Sequence, residues 1–594
     1  MLTMLIMLTL RISPAFILGP LLILLGSAAS AQWTSDAATN TSLADRGSDQ
    51  SQSKLAATPD GGCWVSWFDG IGTGWDVVIQ KLDIGGSEVF SHSGILVADR
   101  SFSSTQDYGL DTDSTGNALL AYRDDGGAGV QVGVAKVAHD GTVLWKIRLT
   151  NTTAFIASPK VCGLANGGVV VAWTQGSNTN IVWLDADGNM TGSNASLIPS
   201  GGSFAVNDLH DAGTDAILSF THQTGGFGSP RRIMTQKYSS SGAPLWGASP
   251  ISVFSTGSLQ FGNFPEFVTD DSGGAVFSWY DTASFQLQCY VQRILSNGTP
   301  GFAINGEAVS TNTTRVRVSP SAAFDAATGD TFVFWTEQDA AQSQSSVYGQ
   351  RLSPAGVRLW GNQGVPIMPV SSDSHTQVRT LVNGSGVNTG ALVCWNLSPS
   401  FGTDVYEGAL LDGTGITTTG PFDVSSTPSS KSRLAMARTT SGTAALAWKD
   451  NRSDGGDIFT QNVNQDGTLG ARWTNLGGAS PNGINGSPQL SAFGPLEAGS
   501  TVGLNLTAGP ASEISLLWIS LNPTPANFFG GVLNSFPYNS QLLLATNSAG
   551  GIAGQTAFPA GFPSGFNLWF QFLMQDLSTL SGITLSNTLK ATTP

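Results

Sequence analysis

Short apolar segments that end in a large aromatic side chain recur along the chain at intervals of about 54 residues. The residues before each aromatic are small, aliphatic or β-branched, as in Val169–Ala172, which is typical of a buried strand. We call the aromatic residue the anchor, and it occurs eight times: Trp67, Tyr122, Trp173, Phe220, Trp279, Trp335, Trp395 and Trp448. Such regular spacing predicts a tandem array of one structural unit.

Two further features keep the phase of the anchors. Turn sequences such as Asp60–Gly62 precede the anchor strands, and their residues accept positive φ and close hairpins. A second strand follows each anchor and in four units carries a glutamine with an aromatic ten residues later: Gln80 with Phe90, Gln236 with Trp246, Gln292 with Phe302, and Gln350 with Trp360. We interpret these glutamines as hydrogen-bonding groups between neighbouring units. A ring of polar groups lining a channel is the alternative.

A unit of about 54 residues with three or four short strands and glycine turns predicts a blade of a β-propeller. The predicted fold class is therefore all-β, with eight blades, or seven if the short third unit is degenerate. Residues 55–470 show no sustained helical periodicity, which excludes a helical solenoid. Leu43–Arg46 and Val97–Arg100 share one pattern 54 residues apart. Residues 41–46 are thus expected to complete the last blade and remove an exposed edge.

The repeat phase ends at a stretch rich in glycine, proline and asparagine, Gly477–Gly483. We predict a propeller over residues 41–475, a linker over 476–484 and a small β-sandwich over 485–594. The last prediction rests on apolar runs separated by turn clusters, as in Ile514–Ile519, and suggests seven or eight strands.

Two segments carry a resemblance to a known group of proteins. The unit Val347–Gly361 resembles the Trp-anchored propeller repeats of large secreted bacterial proteins. Residues 485–594, with Gly494–Leu496 and Leu585–Leu589, look like a C-terminal β-sandwich module that recurs at the ends of such proteins. The resemblance implies a propeller and secretion. It transfers no catalytic residue, because most members have no assigned activity.

The N-terminus has the pattern of a secretory signal peptide. The apolar run Ile17–Leu25 is too short to span a bilayer, and Ala29–Ala31 is a typical cleavage pattern. We predict a signal peptide over residues 1–31, with Met4 or Met7 as alternative start positions and a retained signal anchor as the alternative fate. After cleavage near Ala31 the chain is expected to be secreted, periplasmic or at the cell surface, without a membrane span.

Composition narrows the classes of function. The chain has 41 acidic and 26 basic residues, a net charge of -15 and 40% hydrophobic residues. The apolar fraction excludes a disordered acidic protein, and the negative charge argues against nucleic-acid binding. The four cysteines are far apart and fall in predicted strands, so we expect small buried hydrophobes: Cys63, Cys162, Cys289 and Cys394.

The search for catalytic and metal-binding patterns finds few candidates. His210 and His222 lie in one predicted hairpin but several positions out of register, too far apart to share a metal. Asp111–Asn117 and Asp450–Asp457 carry oxygen ligands that suit calcium, but the first lacks a bidentate glutamate, and turns closed by aspartate explain both.

Exposed tryptophans would be the natural candidates for stacking on a sugar. The off-phase Trp75 and Trp183 are the candidates, since the other tryptophans mostly fall on the repeat phase and are expected in the core. We assign no catalytic, cofactor-binding or metal residue.

These patterns favour a secreted, non-catalytic binding or scaffold protein that is monomeric. It would use a propeller face to engage an unknown extracellular protein or polysaccharide. The alternative is a secreted glycan-active hydrolase or lyase, with carboxylates from different blades converging at the channel. A quinone-cofactor dehydrogenase is a third hypothesis, but the chain lacks the vicinal cysteines expected of that class.

Overall fold

The structure, a computed structural model, describes residues 32–594 apart from residues 73, 103–104, 126–128, 151, 284–286, 385–388, 481–482 and 529. The predicted signal peptide and residues 481–482 of the predicted linker lie outside the described residues. The described chain is all-β and contains no helix, so none of it offers a helical membrane span. Residues 41–463 form eight four-stranded antiparallel sheets, here called units 1 to 8 in the order of their anchors.

Each unit is an antiparallel meander, and its first strand is here called the inner strand. The inner strands are Gln50–Ala57, Gly109–Thr112, Ile156–Gly163, Ser203–Ala212, Phe267–Thr269, Val316–Asp325, Ser374–Asn383 and Lys431–Arg438. The second strands, which carry the anchors, are Cys63–Asp69, Ala118–Asp124, Val169–Gln175, Asp215–Gln223, Ala275–Asp281, Asp330–Gln338, Gly390–Ser398 and Ala444–Asp450. The third strands are Asp76–Leu82, Gln131–Val137, Asn178–Leu184, Arg231–Tyr238, Gln288–Ile294, Ser345–Leu352, Asp404–Leu411 and Asp457–Val463. The fourth strands are Ile95–Ala98, Val143–Arg148, Met190–Leu197, Ile251–Phe254, Glu307–Ala308, Val365–Pro366, Thr417–Ser429 and, for unit 8, Thr41–Ala44.

The units follow one another in a closed series. Each inner strand contacts the inner strand of the next unit, and that of unit 8 contacts that of unit 1. Thr41–Ala44 pairs with the third strand of unit 8, with Thr41 opposite Thr460. Unit 3 has four strands like the others, although its stretch of chain is the shortest.

The anchors are buried between neighbouring sheets. Trp67 of unit 1 packs in one cluster with Ala445 and Ile458 of unit 8, while Phe68 on the opposite face packs with Tyr122 of unit 2. Six tryptophan anchors exist, and five of them are completely or almost completely buried: Trp67, Trp279, Trp335, Trp395 and Trp448. At about 25 cal/mol per Å² of apolar area, each such indole contributes on the order of 4–6 kcal/mol as an upper value. Each sheet therefore depends on both of its neighbours.

The phased glutamines act within a unit rather than between units, so that part of the prediction is wrong. The side-chain amide of Gln350 accepts the backbone N–H of Trp360 at 2.9 Å and donates to the carbonyl of Gly361 at 2.7 Å. Gln236 and Gln292 make the same pair of bonds to the residues ten and eleven positions on. Among the described residues, one weaker bond of these glutamines, from Gln350 to the carbonyl of Val309 at 3.4 Å, crosses to another unit. The amide closes the long loop before the fourth strand, which explains the constant spacing to the aromatic.

The two ends of the sheets differ in what lies there. We call the end of the sheets at which the inner strands begin the upper face, and the opposite end the lower face. In an antiparallel meander the loops from the second to the third strand, and from the fourth strand to the next unit, lie on the upper face. The turns between the first two strands, and the loops between the last two, lie on the lower face.

The C-terminal segment forms two main sheets and a hairpin. One sheet has the strand order Trp473–Asn475, Leu589–Thr592, Asn567–Gln575, Ile514–Ser520 and Ser540–Ala545, with Ile583–Leu585 also paired to Asn567–Gln575. The other contains Gln489–Phe493, Thr501–Thr507 and Ile552–Ala557, and the hairpin contains Ala526–Phe528 and Gly531–Leu533. Residues 485–594 thus contain ten strands, more than the seven or eight expected.

The two C-terminal sheets share one core that reaches the lower face of the ring of units. Leu506 of one sheet and Phe572 of the other pack in the same cluster, which also contains Trp473 and Ile84 of unit 1. The backbone N–H of Gly494 donates to Ser441 in a lower-face turn of unit 8 at 3.1 Å. The C-terminal segment therefore covers part of the lower face at units 1 and 8.

The four cysteines are free and buried, which confirms their predicted role as small core residues. Cys63, Cys162, Cys289 and Cys394 all lie in strands. Burial raises the pKa of the Cys63 and Cys394 thiols to about 12, so these groups stay protonated.

We predict that Gln350→Ala destabilises the protein by about 1–3 kcal/mol, because it leaves the buried N–H of Trp360 and the carbonyl of Gly361 without their partner. The measurement is the midpoint of urea unfolding. Gln363→Ala is the matched control: this glutamine lies exposed in the same loop, and its loss should change stability by less than about 0.5 kcal/mol. Equal effects of the two substitutions would contradict the assigned role of the amide.

Candidate functional site

The inner strands bring side chains from different units close together. Five of them contain a residue at positive φ within a bulge opposite the anchor: Gln52, Ser158, Ser319, Gln377 and Arg433. A bulge bends a strand and redirects the side chains beside it. Immediately after the bulge in units 1 and 3 stand two lysines, Lys54 and Lys160.

Asp107, just before the inner strand of unit 2, joins these two lysines. Its carboxylate lies 2.7 Å from the ammonium of Lys54 and 2.7 Å from that of Lys160. Burial alone would raise the pKa of Asp107, but the two ammonium groups outweigh it and hold the pKa well below its usual range. Three consecutive units are thereby linked by one carboxylate.

The charged cluster continues into units 4 and 5. Burial would lower the pKa of Lys160, but the charges of the carboxylates of Asp107, Asp208 and Glu266 outweigh burial and raise it. Asp208 also lies 2.9 Å from the imidazole Nε2 of His210. Against the opposing effect of burial, Asp208 raises the pKa of His210 to about 9, so the ring is a cation at neutral pH.

We call this set the inner cluster: Lys54, Asp107, Lys160, Asp208, His210 and Glu266. Three cations face three carboxylates, so the inner cluster is close to neutral at pH 7. Asp107 and Asp208 are engaged by cations rather than presented as free acids or bases. Such a cluster can orient a polar ligand through its remaining hydrogen-bonding positions.

The acidic turn Asp111–Asn117 contains two carboxylates in different surroundings. Asp111 accepts the backbone N–H of Gly163 from unit 3 at 3.0 Å, and burial raises its pKa to about 6. Asp113 accepts the backbone N–H groups of Thr115 and Asn117, and its other oxygen lies 2.8 Å from the ammonium of Lys136. Both oxygens of Asp113 are thus engaged by the turn's own N–H groups and by a lysine, which supports the interpretation as a turn closed by aspartate.

The second acidic loop is likewise organised by protein cations. Asp450 lies 3.0 Å from the ammonium of Lys431 and 2.7 Å from the guanidinium of Arg452, and it accepts the indole N–H of Trp448 at 3.0 Å. Burial, reinforced by nearby carboxylates, raises the pKa of Asp457 to about 6. Within the described residues, no three metal-ligating side chains are grouped as a metal site would require.

The histidine prediction is confirmed, and one of the two tryptophan predictions is wrong. His210 stands opposite Ile217 and His222 opposite Phe204, so the two rings are far out of register. Trp183 is only 2% exposed, because it packs in the core between units 3 and 4. Trp75 is half-buried against the core of units 1 and 2.

The exposed aromatic residues are phenylalanines of the upper face, which the sequence analysis missed. Among the described residues of the eight units, every exposed large aromatic side chain lies in an upper-face loop: Phe155, Phe227, Phe261, Phe264 and Phe401. None of them keeps the anchor phase. A search of the sequence for aromatic residues in predicted loops, instead of in predicted strands, would have identified these phenylalanines.

The inner cluster could also have been found from the repeat. In units 1, 3 and 5 the residue thirteen positions before the anchor is charged: Lys54, Lys160 and Glu266. Because the inner strands of neighbouring units were expected to lie side by side, charges at one repeat position should meet near the axis. Pairing of the charges, however, depends on the bulges, which have no clear sequence signal.

Comparisons with known proteins concern the fold. No protein-family model and no curated protein matches the chain. Among solved structures, the chain is similar to the Dos1 propeller with 10% identity and a TM-score of 0.38, and the match covers 69% of this chain and 93% of that one. It is similar to an ulvan lyase, a polysaccharide lyase, with 11% identity and a TM-score of 0.39, and the match covers 72% of this chain and 96% of that one. It is also similar to a protein of unknown function from Dyadobacter fermentans, with 10% identity and a TM-score of 0.34, and the match covers 72% of this chain and 96% of that one. These similarities concern the backbone fold alone.

We predict that His210→Gln flattens the loss of stability between pH 6.5 and pH 9. The pKa of His210 is raised from 6.5 to about 9 in the folded state, so its stabilising effect is complete below pH 6.5 and disappears as the pH rises to about 9. Because the ring is partly exposed, we expect its ion pair to contribute only about 1 kcal/mol to the free energy of unfolding. Urea unfolding across this range measures the change in stability, with His222→Gln, whose ring contacts the carbonyl of Gly201, as the control. Asp111 titrates below this window.

We further predict that Asp107→Asn lowers stability by about 1–3 kcal/mol at pH 7, because Lys160 is then left buried without its closest carboxylate. We expect no larger loss of stability, because Asp107 is partly exposed and water weakens its ion pairs. Asp187→Asn is the matched control on an exposed turn. A loss no greater than that of the control would show that the two lysines find other partners.

Proposed function

We propose that the eight units are the blades of an eight-bladed β-propeller, with the inner strands around its axis and Thr41–Ala44 closing the ring. The contacts that run from each inner strand to the next, and from unit 8 back to unit 1, support this arrangement. The C-terminal segment is proposed as a β-sandwich module, supported by the core that its two main sheets share.

We propose the expected domain division with one adjustment. The strand Trp473–Asn475 pairs with Leu589–Thr592, and the carbonyl of Gly477 accepts the N–H of Thr588 at 2.7 Å. These contacts favour placing residues 473–480 with the C-terminal module instead of in the propeller and a free linker. The signal peptide over residues 1–31 and secretion stay part of the proposal.

We propose that the protein is a secreted, monomeric, non-catalytic binding protein whose upper face engages an extracellular partner or glycan. The observation that carries this proposal is the asymmetry of the two faces. The lower face of units 1 and 8 packs against the C-terminal segment, whereas the exposed phenylalanines among the described residues of the units lie on the upper face. Exposed aromatic side chains held on rigid strands are typical of binding surfaces.

The inner cluster fits a structural and orienting role better than a catalytic one. Asp107 and Asp208 are held ionised by direct contacts with lysine or histidine cations. A glycosidase requires one carboxyl group that keeps its proton and a second that stays ionised beside the same sugar. A cavity of about 430 Å³ between the lower-face turns and the C-terminal module is lined by residues such as Pro59, Thr440 and Phe493, and no carboxylate lines it.

The alternative, a glycan-active hydrolase or lyase, is supported by one specific observation. Asp111 with a pKa of about 6 and His210 with a pKa of about 9 titrate on either side of neutrality, and the charge of Asp111 contributes to the raised pKa of His210. Two nearby groups whose pKa values are driven apart could serve as acid and base.

We predict that the chain from residue 32 binds one or more polysaccharides or proteins of an extracellular panel without altering them, and that Phe261→Ala weakens this binding at least about fivefold. The measurement is biolayer interferometry, with product analysis for new reducing ends or unsaturated sugars. Ile304→Ala, a change of an exposed side chain on the lower face, is the control. Turnover that is abolished by His210→Gln and Asp111→Asn would overturn the binding proposal in favour of the enzyme. Light scattering measures the mass of the protein in solution and tests whether it is a monomer.

A further inference from the structure

An arginine on the upper face of unit 4 lies beside two exposed phenylalanines that contact each other. The guanidinium carbon of Arg231 lies 4.8 Å from the ring centroid of Phe261 and 5.9 Å from that of Phe227. The two rings are 5.2 Å apart and are 65% and 76% exposed. The guanidinium donates to the carbonyl of Phe227 at 2.9 Å, which fixes its plane and leaves other N–H groups available. An apolar surface and an oriented fork of donors thus lie side by side in solvent.

A second cluster of the same composition lies on the upper face around unit 2. The guanidinium carbon of Arg123 lies 4.4 Å from the centroid of Phe102 and 5.6 Å from that of Phe155. The side chain of Arg123 donates no hydrogen bond to a described residue, and its Nε is buried without a partner. Each cluster combines an arginine at the upper end of a strand with phenylalanines from the adjoining loops. We call the two sets the Arg231 cluster and the Arg123 cluster.

The charge of these arginines is not neutralised by the protein. Seven arginines on the upper face or in the adjoining part of the inner strands form no ion pair with any described residue, whereas four others there are paired with carboxylates: the unpaired ones are Arg100, Arg123, Arg231, Arg232, Arg315, Arg379 and Arg433, and the paired ones are Arg46, Arg148, Arg317 and Arg452. On the lower face, Arg293, Arg351, Arg358 and Arg472 lie against carboxylates, and Arg438 forms no ion pair with a described residue. In a chain with a net charge of -15, carboxylates are plentiful. What distinguishes Arg231 and Arg123 is an unpaired guanidinium beside exposed aromatic rings, which suits a ligand that supplies the anion.

We propose that the Arg231 and Arg123 clusters are binding subsites for a carboxylate-bearing polysaccharide, a chain that contains uronic acid residues. The planar guanidinium matches a carboxylate with two parallel hydrogen bonds, and the exposed phenylalanine ring packs against the apolar face of a sugar. Two separate clusters on one face suit a polymer, which can contact both at once and gain affinity from the linkage. The proposal rests on the proposed binding function and names the class of its ligand.

The test compares binding of the chain from residue 32 to polygalacturonate and to fully methyl-esterified polygalacturonate, by biolayer interferometry at low and high salt. The two polymers share one backbone and differ in charge. We expect binding to the acid at least about tenfold tighter than to the ester, and weaker at high salt. Equal affinity for both polymers would overturn the role of the carboxylates. Binding to dextran sulphate without binding to polygalacturonate would overturn the assignment to uronic acids.

Substitutions locate the site. Arg231→Gln and Arg123→Gln should each weaken binding to polygalacturonate at least about fivefold, and the double substitution should weaken it more than either. Arg231→Lys keeps the charge but loses the planar fork, so it should fall between wild type and Arg231→Gln. Arg358→Gln, whose guanidinium is paired with Glu307 on the lower face, is the control. Unchanged binding in both cluster variants, with unchanged melting temperatures, would overturn the proposal.

The design separates this inference from the proposed function. If polygalacturonate does not bind, but Phe261→Ala weakens binding of a neutral polysaccharide or a protein, the upper face is a binding surface and the uronic acid assignment is wrong. If upper-face variants affect no ligand of the panel while lower-face variants do, both proposals are wrong. A melting temperature within the error of wild type for each variant excludes misfolding as the cause of a loss.

Discussion

Burial of the anchor aromatics between neighbouring sheets is the interaction on which the rest of the structure depends. A four-stranded sheet with apolar side chains on both faces cannot be stable alone, because it would expose both faces to water. Each unit therefore needs a neighbour on either side, and a linear array would leave two units uncovered at its ends. Contact between units 8 and 1, with Thr41–Ala44 paired to the last unit, removes those ends. Closure is a consequence of two-sided burial.

The same arrangement constrains what lies at the centre. The inner strands of neighbouring units contact one another, so polar side chains from different units meet there. Lys160, which is almost fully buried, can remain charged there only because Asp107 lies in direct contact and further carboxylates lie nearby. The inner cluster is thus a set of mutually compensating charges. Its neutrality leaves the task of attracting an anionic ligand to the unpaired arginines of the upper face.

The loops of the two faces are free of the packing constraint and therefore differ. On the lower face, glutamine amides such as that of Gln350 hold the long loops in one conformation, and the C-terminal module adds a shared core with unit 1. On the upper face, Arg231 is stacked on phenylalanine rings that contribute little to the core. Exposed apolar rings and uncompensated charge cost stability in water, which is why we attribute them to ligand binding.

The sequence by itself determined the repeat, its phase, the all-β class and the burial of the cysteines, because these follow from short-range patterns that recur every 54 residues or so. It also indicated the glutamine–aromatic pairs, although their partners proved to lie within a unit. Only the tertiary structure decided that Lys54, Asp107 and Lys160 meet, that Trp183 is buried and that Phe227 and Phe261 flank Arg231. Such contacts join residues from different strands, loops and units, and they depend on bulges and loop conformations that local sequence specifies weakly.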